Sequence, residues 1–289
     1  MDNKSAGELQ SHMLGTYFGL RIGLVVIGVA LPLVVLVAGG VLHDVGLKRS
    51  ISAYYHPGPA ALSFFTTRDF FVGGLFAAAA CLYLYKGFSA KENIALNLAG
   101  IFACFVALLP TGFEDDDKGL VPVLHATSAV LFFLCIAYVS LFHSRDTLRL
   151  LTPARRAHFA QQYLWTGLAL IVSPLVAVVV ALTLEGRLRA LTFWAEACAV
   201  WAFAYYWWIK TREMRESSAE RRALDADLRR EVVTVTPPAE AAATGPGGVS
   251  GVLLRTLSPA SGKVERVIPA DSPGPAVPVP NRVHASERR

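Results

Sequence analysis

Glu196 is the residue whose type and position point most directly to chemistry. It lies within a mostly apolar stretch, residues 191–209. A carboxylate placed in hydrocarbon costs about 2.5–3.5 kcal/mol on insertion scales, so such a group faces a partner or a water-filled cavity. The role of Glu196 therefore depends on which other groups lie at the same depth.

Four other residues are candidates for the same depth: His125, Asp69, Ser52 and His56. Imidazoles and carboxylates are ligands that zinc prefers, and bound zinc lowers the pKa of a water molecule. In this interpretation His125, His56 and Asp69 hold a zinc ion, and the catalytic groups are Glu196, His125, Asp69 and Ser52. The protein is then a metal-dependent hydrolase that acts on a lipid or an amide.

Two other functions would use these residues differently. In a transporter, Glu196 is a proton or cation site, although the sequence shows no paired repeats of the kind many transporters have. In a structural or regulatory protein, the polar groups hold loops onto the bundle, and the C-terminal tail binds a partner of unknown identity. The chain also lacks the His-x-x-x-His and His-Glu-x-x-His pairs that would support a zinc site on a helix.

The composition places these residues in a membrane protein. Apolar residues make up 54% of the chain and charged residues only 17%, whereas soluble domains carry about 25% charged residues. A bilayer span needs about 20 mostly apolar residues. We therefore predict an all-α fold, a polytopic membrane helix bundle with six transmembrane helices in contact with the lipid bilayer. The predicted spans are residues 17–41, 70–85, 94–111, 121–142, 163–184 and 191–209.

Three local signals predict where helices begin. Thr66 and Asp69 have the spacing of a capping box, and so do Ser89 and Glu92. These boxes would start the second and third helices a few residues before their apolar stretches. The pair Thr152-Pro153 predicts that the fifth helix begins near residue 153, because Pro is favoured at the first helical position.

The distribution of Lys and Arg predicts that both termini are cytoplasmic. Cytoplasmic loops carry the excess of these residues, and the loop at 145–156 holds four arginines. A polar cavity around Glu196 would then open on the extracytoplasmic side. The net charge of +5 has the same origin, because the basic residues flank spans and form no continuous face. We therefore expect no nucleic-acid partner.

The chain divides into four parts by composition. A cytoplasmic N-terminal segment precedes the bundle, a charged cytoplasmic helix follows it, and a disordered tail rich in Pro, Gly and Ala ends the chain. Their predicted bounds are residues 1–16 for the N-terminal segment, 17–210 for the bundle, 211–232 for the charged helix and 233–289 for the tail.

The first helix carries a candidate packing face. Gly15, Gly19 and Gly23 recur at every fourth residue, a spacing that lets two helix backbones approach closely. This face is a candidate for contact with a second copy of the chain in a homo-oligomer. Arg21 lies in the first turn of the predicted span, so its side chain is expected to reach the membrane interface.

Several blocks of the sequence resemble a family of bacterial multi-span membrane proteins. They are Ser50-Ile-Ser-Ala-Tyr-Tyr-His, Arg68-Asp-Phe-Phe-Val-Gly-Gly, Asn97-Leu-Ala-Gly-Ile-Phe-Ala and Phe193-Trp-Ala-Glu-Ala-Cys-Ala-Val-Trp-Ala-Phe. The resemblance covers residues 17–212 and implies a location in the bacterial inner membrane. It implies no activity, because none is established for that family.

A more distant resemblance concerns Ser, Asp and His residues near the ends of spans. They are similar to those of the superfamily that contains the alkaline ceramidases and the adiponectin receptors. That superfamily has seven spans and a set of histidines that binds zinc, which is what the hydrolase interpretation would require. This chain departs from it in the number of spans and in lacking a C-terminal His-x-x-x-His.

Overall fold

The computed structural model describes residues 3–56, 65–112, 119–184, 190–219, 221, 222 and 226. These residues form helices and contain no strand, which agrees with the predicted all-α fold. The six long helices are α1 (Asn3–His43), α2 (Thr67–Leu84), α3 (Ala90–Leu108), α4 (Leu120–Tyr138), α5 (Pro153–Thr183) and α6 (Ala190–Ser217). Short 3₁₀ helices span Ser52–Tyr55 and Thr147–Leu150, and a π-helical turn spans Val139–His143.

Five of the helical segments are long and apolar enough to cross a membrane. They are Ser11–His43, Thr67–Leu84, Ala90–Leu108, Leu120–Leu150 and Pro153–Thr183. The sixth predicted span, residues 191–209, lies on α6. This helix is less hydrophobic than the other five because it contains Glu196 and several Tyr and Trp side chains with polar atoms.

The predicted helix starts agree with the structure. The Asp69 carboxylate accepts hydrogen bonds from the backbone N–H of Thr66, at 2.7 Å, and from its hydroxyl. Ser89 Oγ accepts from the backbone N–H of Glu92 at 3.1 Å, and Glu92 in turn accepts from the N–H of Phe88. Because these bonds satisfy N–H groups that lack a partner within the helix, they fix the first turns of α2 and α3.

The six helices pack as a closed ring in chain order. Each helix contacts the next along the chain, and α6 packs back against α1. The contact between α1 and α6 is close at Gly28, where an added Cβ would lie 2.9 Å from the Cβ of Ala204. Glycine is therefore required there for the two backbones to approach. A ring of this kind can enclose a cavity along its axis.

The N-terminal part of α1 differs from the predicted boundary. The helix begins at Asn3, so most of the predicted segment 1–16 is helical. Added Cβ atoms at Gly15 and Gly19 would meet nothing within 4 Å, so no described residue packs directly against these two positions. Contact of the Gly15/Gly19/Gly23 face with a second copy stays a prediction. The predicted tail, 233–289, lies outside the described residues, as do 227–232 of the predicted charged helix.

Candidate functional site

The segment that follows α1 folds back over one end of the bundle, and we call residues 44–56 the cap segment. Asp44 adopts a left-handed conformation with φ of 50°, and the N–H of Val45 donates to Gly39 O at 3.1 Å. Tyr54 packs against this turn so closely that a Cβ on Gly39 would lie 2.5 Å from its ring. The end of α1 and the cap segment therefore fit together as one piece, and this end is the cap end of the bundle.

Further hydrogen bonds hold the fully buried Tyr54 in place. Its hydroxyl donates to Gly46 O at 3.1 Å, and its backbone carbonyl accepts from the Thr67 hydroxyl at 2.8 Å. Burial raises the pKa of the Tyr54 phenol, an effect that the hydrogen bond from the Lys48 N–H partly offsets. The cap segment is thus joined to both α1 and α2.

Glu196, on α6, also holds the cap segment in place. Its Oε2 accepts a hydrogen bond from the backbone N–H of Ile51 at 2.7 Å, and the N–H of Ser52 lies near enough to stabilise the charged carboxylate. The Arg49 guanidinium is near enough to interact with the carboxylate electrostatically, and its Nη2 donates to Gly112 O at 2.7 Å. These contacts offset the free-energy cost of placing the Glu196 carboxylate within an apolar stretch, the cost on which its selection from the sequence was based.

Both candidate histidines bind the segment at the end of α3. His125 Nδ1 lies 2.7 Å from Leu109 O, and His56 Nε2 lies 2.7 Å from Thr111 O. A carbonyl oxygen can only accept, so these two nitrogens carry the hydrogens. One nitrogen of each ring is therefore engaged with the backbone.

Asp69 does not join the other candidates. Its carboxylate is exposed and occupied by Thr66 at the start of α2, where it caps the helix. Among the residues that the structure describes, no group of three or more His, Cys, Asp or Glu side chains is placed to hold a metal ion. The ligand set His125, His56 and Asp69 is therefore not assembled, and the residues present do not fit a zinc centre. The acidic residues at 114–117, which precede α4, lie outside the described residues.

A cavity of about 370 Å³ lies inside the ring of helices, and we call it the central cavity. Most of the residues that line it are apolar side chains from all six helices. Polar groups from the cap segment, α4, α6 and the residues after α3 form one part of its wall. They are Arg49, Ser50, Ser52, Thr111, His125, Thr192 and Glu196. The structure thus brings three of the predicted site residues, Ser52, His125 and Glu196, to one cavity.

Thr192 is a cavity residue that the sequence analysis missed. It lies one turn before Glu196 on α6 and is 6% exposed. Its hydroxyl oxygen is buried and has no hydrogen-bond partner in the described part of the chain. A buried hydroxyl without a partner costs about 1–3 kcal/mol, a cost that a hydrogen bond to a polar ligand atom would remove. Its spacing of four residues from Glu196 is a signal that could have identified it.

The opposite end of the bundle contains a second polar cluster that the sequence analysis missed. The side chains of Lys210 and Glu213 are 1% and 0% exposed, and Lys210 Nζ lies 3.2 Å from Glu213 Oε2. The Glu213 carboxylate also accepts hydrogen bonds from the hydroxyls of Tyr163, at 2.7 Å, and Thr147. Lys210 Nζ lies 3.3 Å from the Thr147 hydroxyl as well. This buried pair joins α5, α6 and the turn between α4 and α5.

Arg21 is buried near this end, which corrects the prediction that it reaches the membrane interface. It is 1% exposed, and its guanidinium lies 5.9 Å from the centre of the Tyr85 ring. The prediction was wrong because it treated Arg21 as facing outward, whereas the buried Tyr85 at the end of α2 packs against it. Glu92 is likewise 1% exposed, and its Oε1 has no partner among the described residues.

The comparisons with known proteins are negative. No family model matches the chain, and neither a curated protein nor a solved structure matches it. The proposed function therefore depends on the geometry of the two ends of the bundle and of the central cavity.

Proposed function

We propose that this protein is a six-span membrane protein that binds an uncharged amphipathic molecule in its central cavity. Both termini are cytoplasmic in this proposal, and the cap end faces the extracytoplasmic side of the bacterial inner membrane. The five apolar helical segments support the membrane location, and the arginines at 145–156 support the orientation. α6 is the sixth span, since it packs between α1 and α5 in the ring.

One observation carries the proposal, namely the unequal distribution of polarity in the central cavity. Its volume of about 370 Å³ is within the range of ligand pockets, about 300–1,000 Å³. The apolar walls suit a hydrocarbon chain, because apolar surface is stabilised when it leaves water. The polar part of the wall suits a head group, and the unpartnered Thr192 hydroxyl offers it a hydrogen bond.

The charges in the cavity favour an uncharged head group. Arg49 and Glu196 are the residues with formal charges among those that line the cavity, and these two charges cancel. A further charge brought into this site would lose its hydration without gaining a counter-ion, which is costly in a buried site. An alcohol, an ester or an amide would lose less hydration and could bond Thr192 directly.

The transporter and hydrolase alternatives make different demands on Glu196. An ion site needs a carboxylate that is available to the ion, whereas Oε2 of Glu196 accepts from Ile51 N–H at 2.7 Å. A metal-dependent hydrolase needs a ligand set, and the described residues contain none. The contacts therefore support a binding role, with Glu196 as the group that positions the cap segment over the cavity.

Photoaffinity labelling tests the proposal. The purified full-length protein in phosphatidylcholine nanodiscs would be irradiated with dodecanol that carries a diazirine on its chain. We expect labels on α4, α5 and α6 at residues that line the cavity, and competition by unlabelled dodecanol. Dodecanoate and dodecylammonium should compete poorly, because each carries a charge on the same chain.

Two substitutions provide a matched comparison. Ala129 is half-buried and lines the cavity, so Ala129→Phe should fill it and abolish the competable labelling. Ala80 is exposed on α2 and does not line the cavity, so Ala80→Phe should leave the labelling unchanged. Labels confined to lipid-exposed residues such as Val37 and Val172, or equal competition by the charged amphiphiles, would overturn the proposal.

A further inference from the structure

A second pocket lies at the end of the bundle opposite to the cap segment. It has a volume of about 310 Å³ and is lined by Arg145, Leu148, Arg156, Ala160, Gln161 and Leu164. One wall comes from the turn that follows the π-helical segment Val139–His143, and the other comes from the first three turns of α5. We call it the two-arginine pocket. It is separate from the central cavity, since the two share no lining residue.

Within the part of the chain that the structure describes, the two guanidinium groups of this pocket have no carboxylate partner. Neither Arg145 nor Arg156 forms an ion pair within 4.0 Å in the described part of the chain. The neighbouring Arg155 differs, because its Nε lies 3.2 Å from Glu216 Oε2. Both pocket arginines are exposed, so their positive charges are available to an anion from outside the protein.

The wall of the pocket becomes apolar along α5. Ala160 and Leu164 lie one and two turns beyond Arg156, on the same face of the helix. Leu164 is 39% exposed and its neighbour Trp165 is 63% exposed. Leu148, which is 1% exposed, supplies an apolar floor. The pocket is thus positively charged at one end and apolar at the other, with an exposed Trp beside it. This combination is typical of the membrane–water interface.

We infer that the two-arginine pocket binds the phosphate of an anionic phospholipid from the cytoplasmic leaflet. Guanidinium groups bind phosphate oxygens through paired hydrogen bonds, and the amide of Gln161 can donate another. The first part of an acyl chain lies along Ala160 and Leu164. Basic pockets between helices on the cytoplasmic side recognise anionic lipid head groups in this way. This inference rests on the membrane location and orientation proposed above.

Native mass spectrometry tests this site. The full-length protein would be incorporated into nanodiscs of phosphatidylglycerol and phosphatidylcholine, and the lipids that stay bound after release would be counted. We expect phosphatidylglycerol to be retained in preference to phosphatidylcholine. Arg145→Gln and Arg156→Gln should each weaken that retention about fivefold, since a basic residue near an anionic head group contributes about that factor.

Arg149→Gln is the matched control. Arg149 is exposed in the same loop and does not line the pocket, so its loss changes the net charge equally and should leave retention unchanged. An equal loss in the control would show non-specific attraction to the membrane and would overturn the inference. Unchanged retention in the two pocket variants would also overturn it.

A competition experiment distinguishes a site for a lipid phosphate from a site for a free anion. Short-chain dioctanoyl phosphatidylglycerol should displace the retained lipid, whereas millimolar inorganic phosphate should not. Equal displacement by inorganic phosphate would show a site for a free anion and would overturn the lipid assignment. A protein that does not enter nanodiscs would overturn the proposed membrane location itself, which is a different outcome from incorporation without selective retention.

Discussion

The Glu196 carboxylate and the backbone N–H of Ile51 form a hydrogen bond of 2.7 Å between residues that are 145 positions apart in the chain. This bond connects α6 to the cap segment and so closes the ring of helices at the cap end. The N–H of Ser52 lies near the same carboxylate and also stabilises its charge. A single acidic side chain thus holds the start of the 3₁₀ helix Ser52–Tyr55, where backbone N–H groups have no partner within the helix.

The first prediction is that Glu196→Gln destabilises the protein by about 1–3 kcal/mol, the range for leaving a buried polar group unsatisfied. The Glu196 carboxylate accepts from the Ile51 N–H and stabilises the nearby Ser52 N–H by its charge. Glutamine is uncharged and presents only one accepting oxygen, so it cannot replace both interactions. Thermal unfolding in detergent, followed by tryptophan fluorescence, measures the change. The exposed Glu8 serves as a control, and Glu8→Gln should unfold like the wild type. Equal midpoints for all three proteins would mean that the cap segment does not depend on Glu196.

The second prediction concerns the fit between Gly39 and Tyr54. A Cβ at Gly39 would lie 2.5 Å from the Tyr54 ring, so Gly39→Ala must displace the cap segment and should cost about 1–3 kcal/mol, as overpacking does. The adjacent residue provides the control, because a Cβ at Gly40 would meet nothing within 4 Å. Gly40→Ala should be neutral or stabilising, since Ala favours a helix over Gly by about 0.5–1 kcal/mol.

The measurement for this pair is the unfolding midpoint together with trypsin cleavage at Lys48 and Arg49. We expect faster cleavage in Gly39→Ala alone. Similar midpoints and cleavage rates in the two variants would contradict the close packing of Tyr54 on α1.

The cap end shows what the sequence could predict. A carboxylate inside an apolar stretch needs a compensating partner, and this physical rule identified Glu196 before its partners were known. The capping signals at Ser89 and Pro153 also predicted local structure, because they depend on residues within one helical turn. The rule cannot name the partner, however, because the N–H of Ile51 is brought to Glu196 by the path of the whole cap segment.

The opposite end shows what the sequence could not predict. Lys210 and Glu213 lie near the end of an apolar stretch, where charges normally face water, and yet both are buried. Their burial depends on Tyr163 and Thr147, which come from distant parts of the chain. Asp69 was given two roles from the sequence, a place in the site and half of a capping box with Thr66, and the structure shows the capping box.

The third prediction is that breaking the Lys210–Glu213 pair destabilises the protein more than the Glu196→Gln change. Lys210→Met leaves the Glu213 carboxylate buried without its counter-ion, and loss of one partner of a buried pair costs about 3–5 kcal/mol. The double variant Lys210→Met/Glu213→Leu removes both charges and should recover much of that loss, because neither charge is then left unpaired. The free energy of unfolding in detergent measures each step.

The exposed pair of Arg155 and Glu216 is the control for this cycle. Their side chains are 52% and 28% exposed, and the Glu216→Gln change should cost less than about 1 kcal/mol, as is usual for surface ion pairs. A double variant no more stable than Lys210→Met would contradict the prediction and would show that Glu213 contributes through Tyr163 and Thr147 rather than through Lys210.

The fourth prediction is the orientation of the bundle. An odd number of spans would put the two termini on opposite sides of the membrane, so the status of α6 decides whether the cap end and the C-terminus are separated by the bilayer. α6 contains Glu196 and is less apolar than the five segments that are long and apolar enough to cross a membrane. The hydrogen bond of Glu196 at one end and the Lys210–Glu213 pair at the other lower the free-energy cost of placing these charges in a membrane.

An alkaline phosphatase reporter inserted near residue 59 should be active, and one fused after residue 232 should be inactive. The reciprocal pattern is expected for green fluorescent protein, which should fluoresce only at the second position. Activity of the phosphatase at both positions would place α6 outside the membrane and would remove the central cavity from the bilayer, because α6 forms one of its walls.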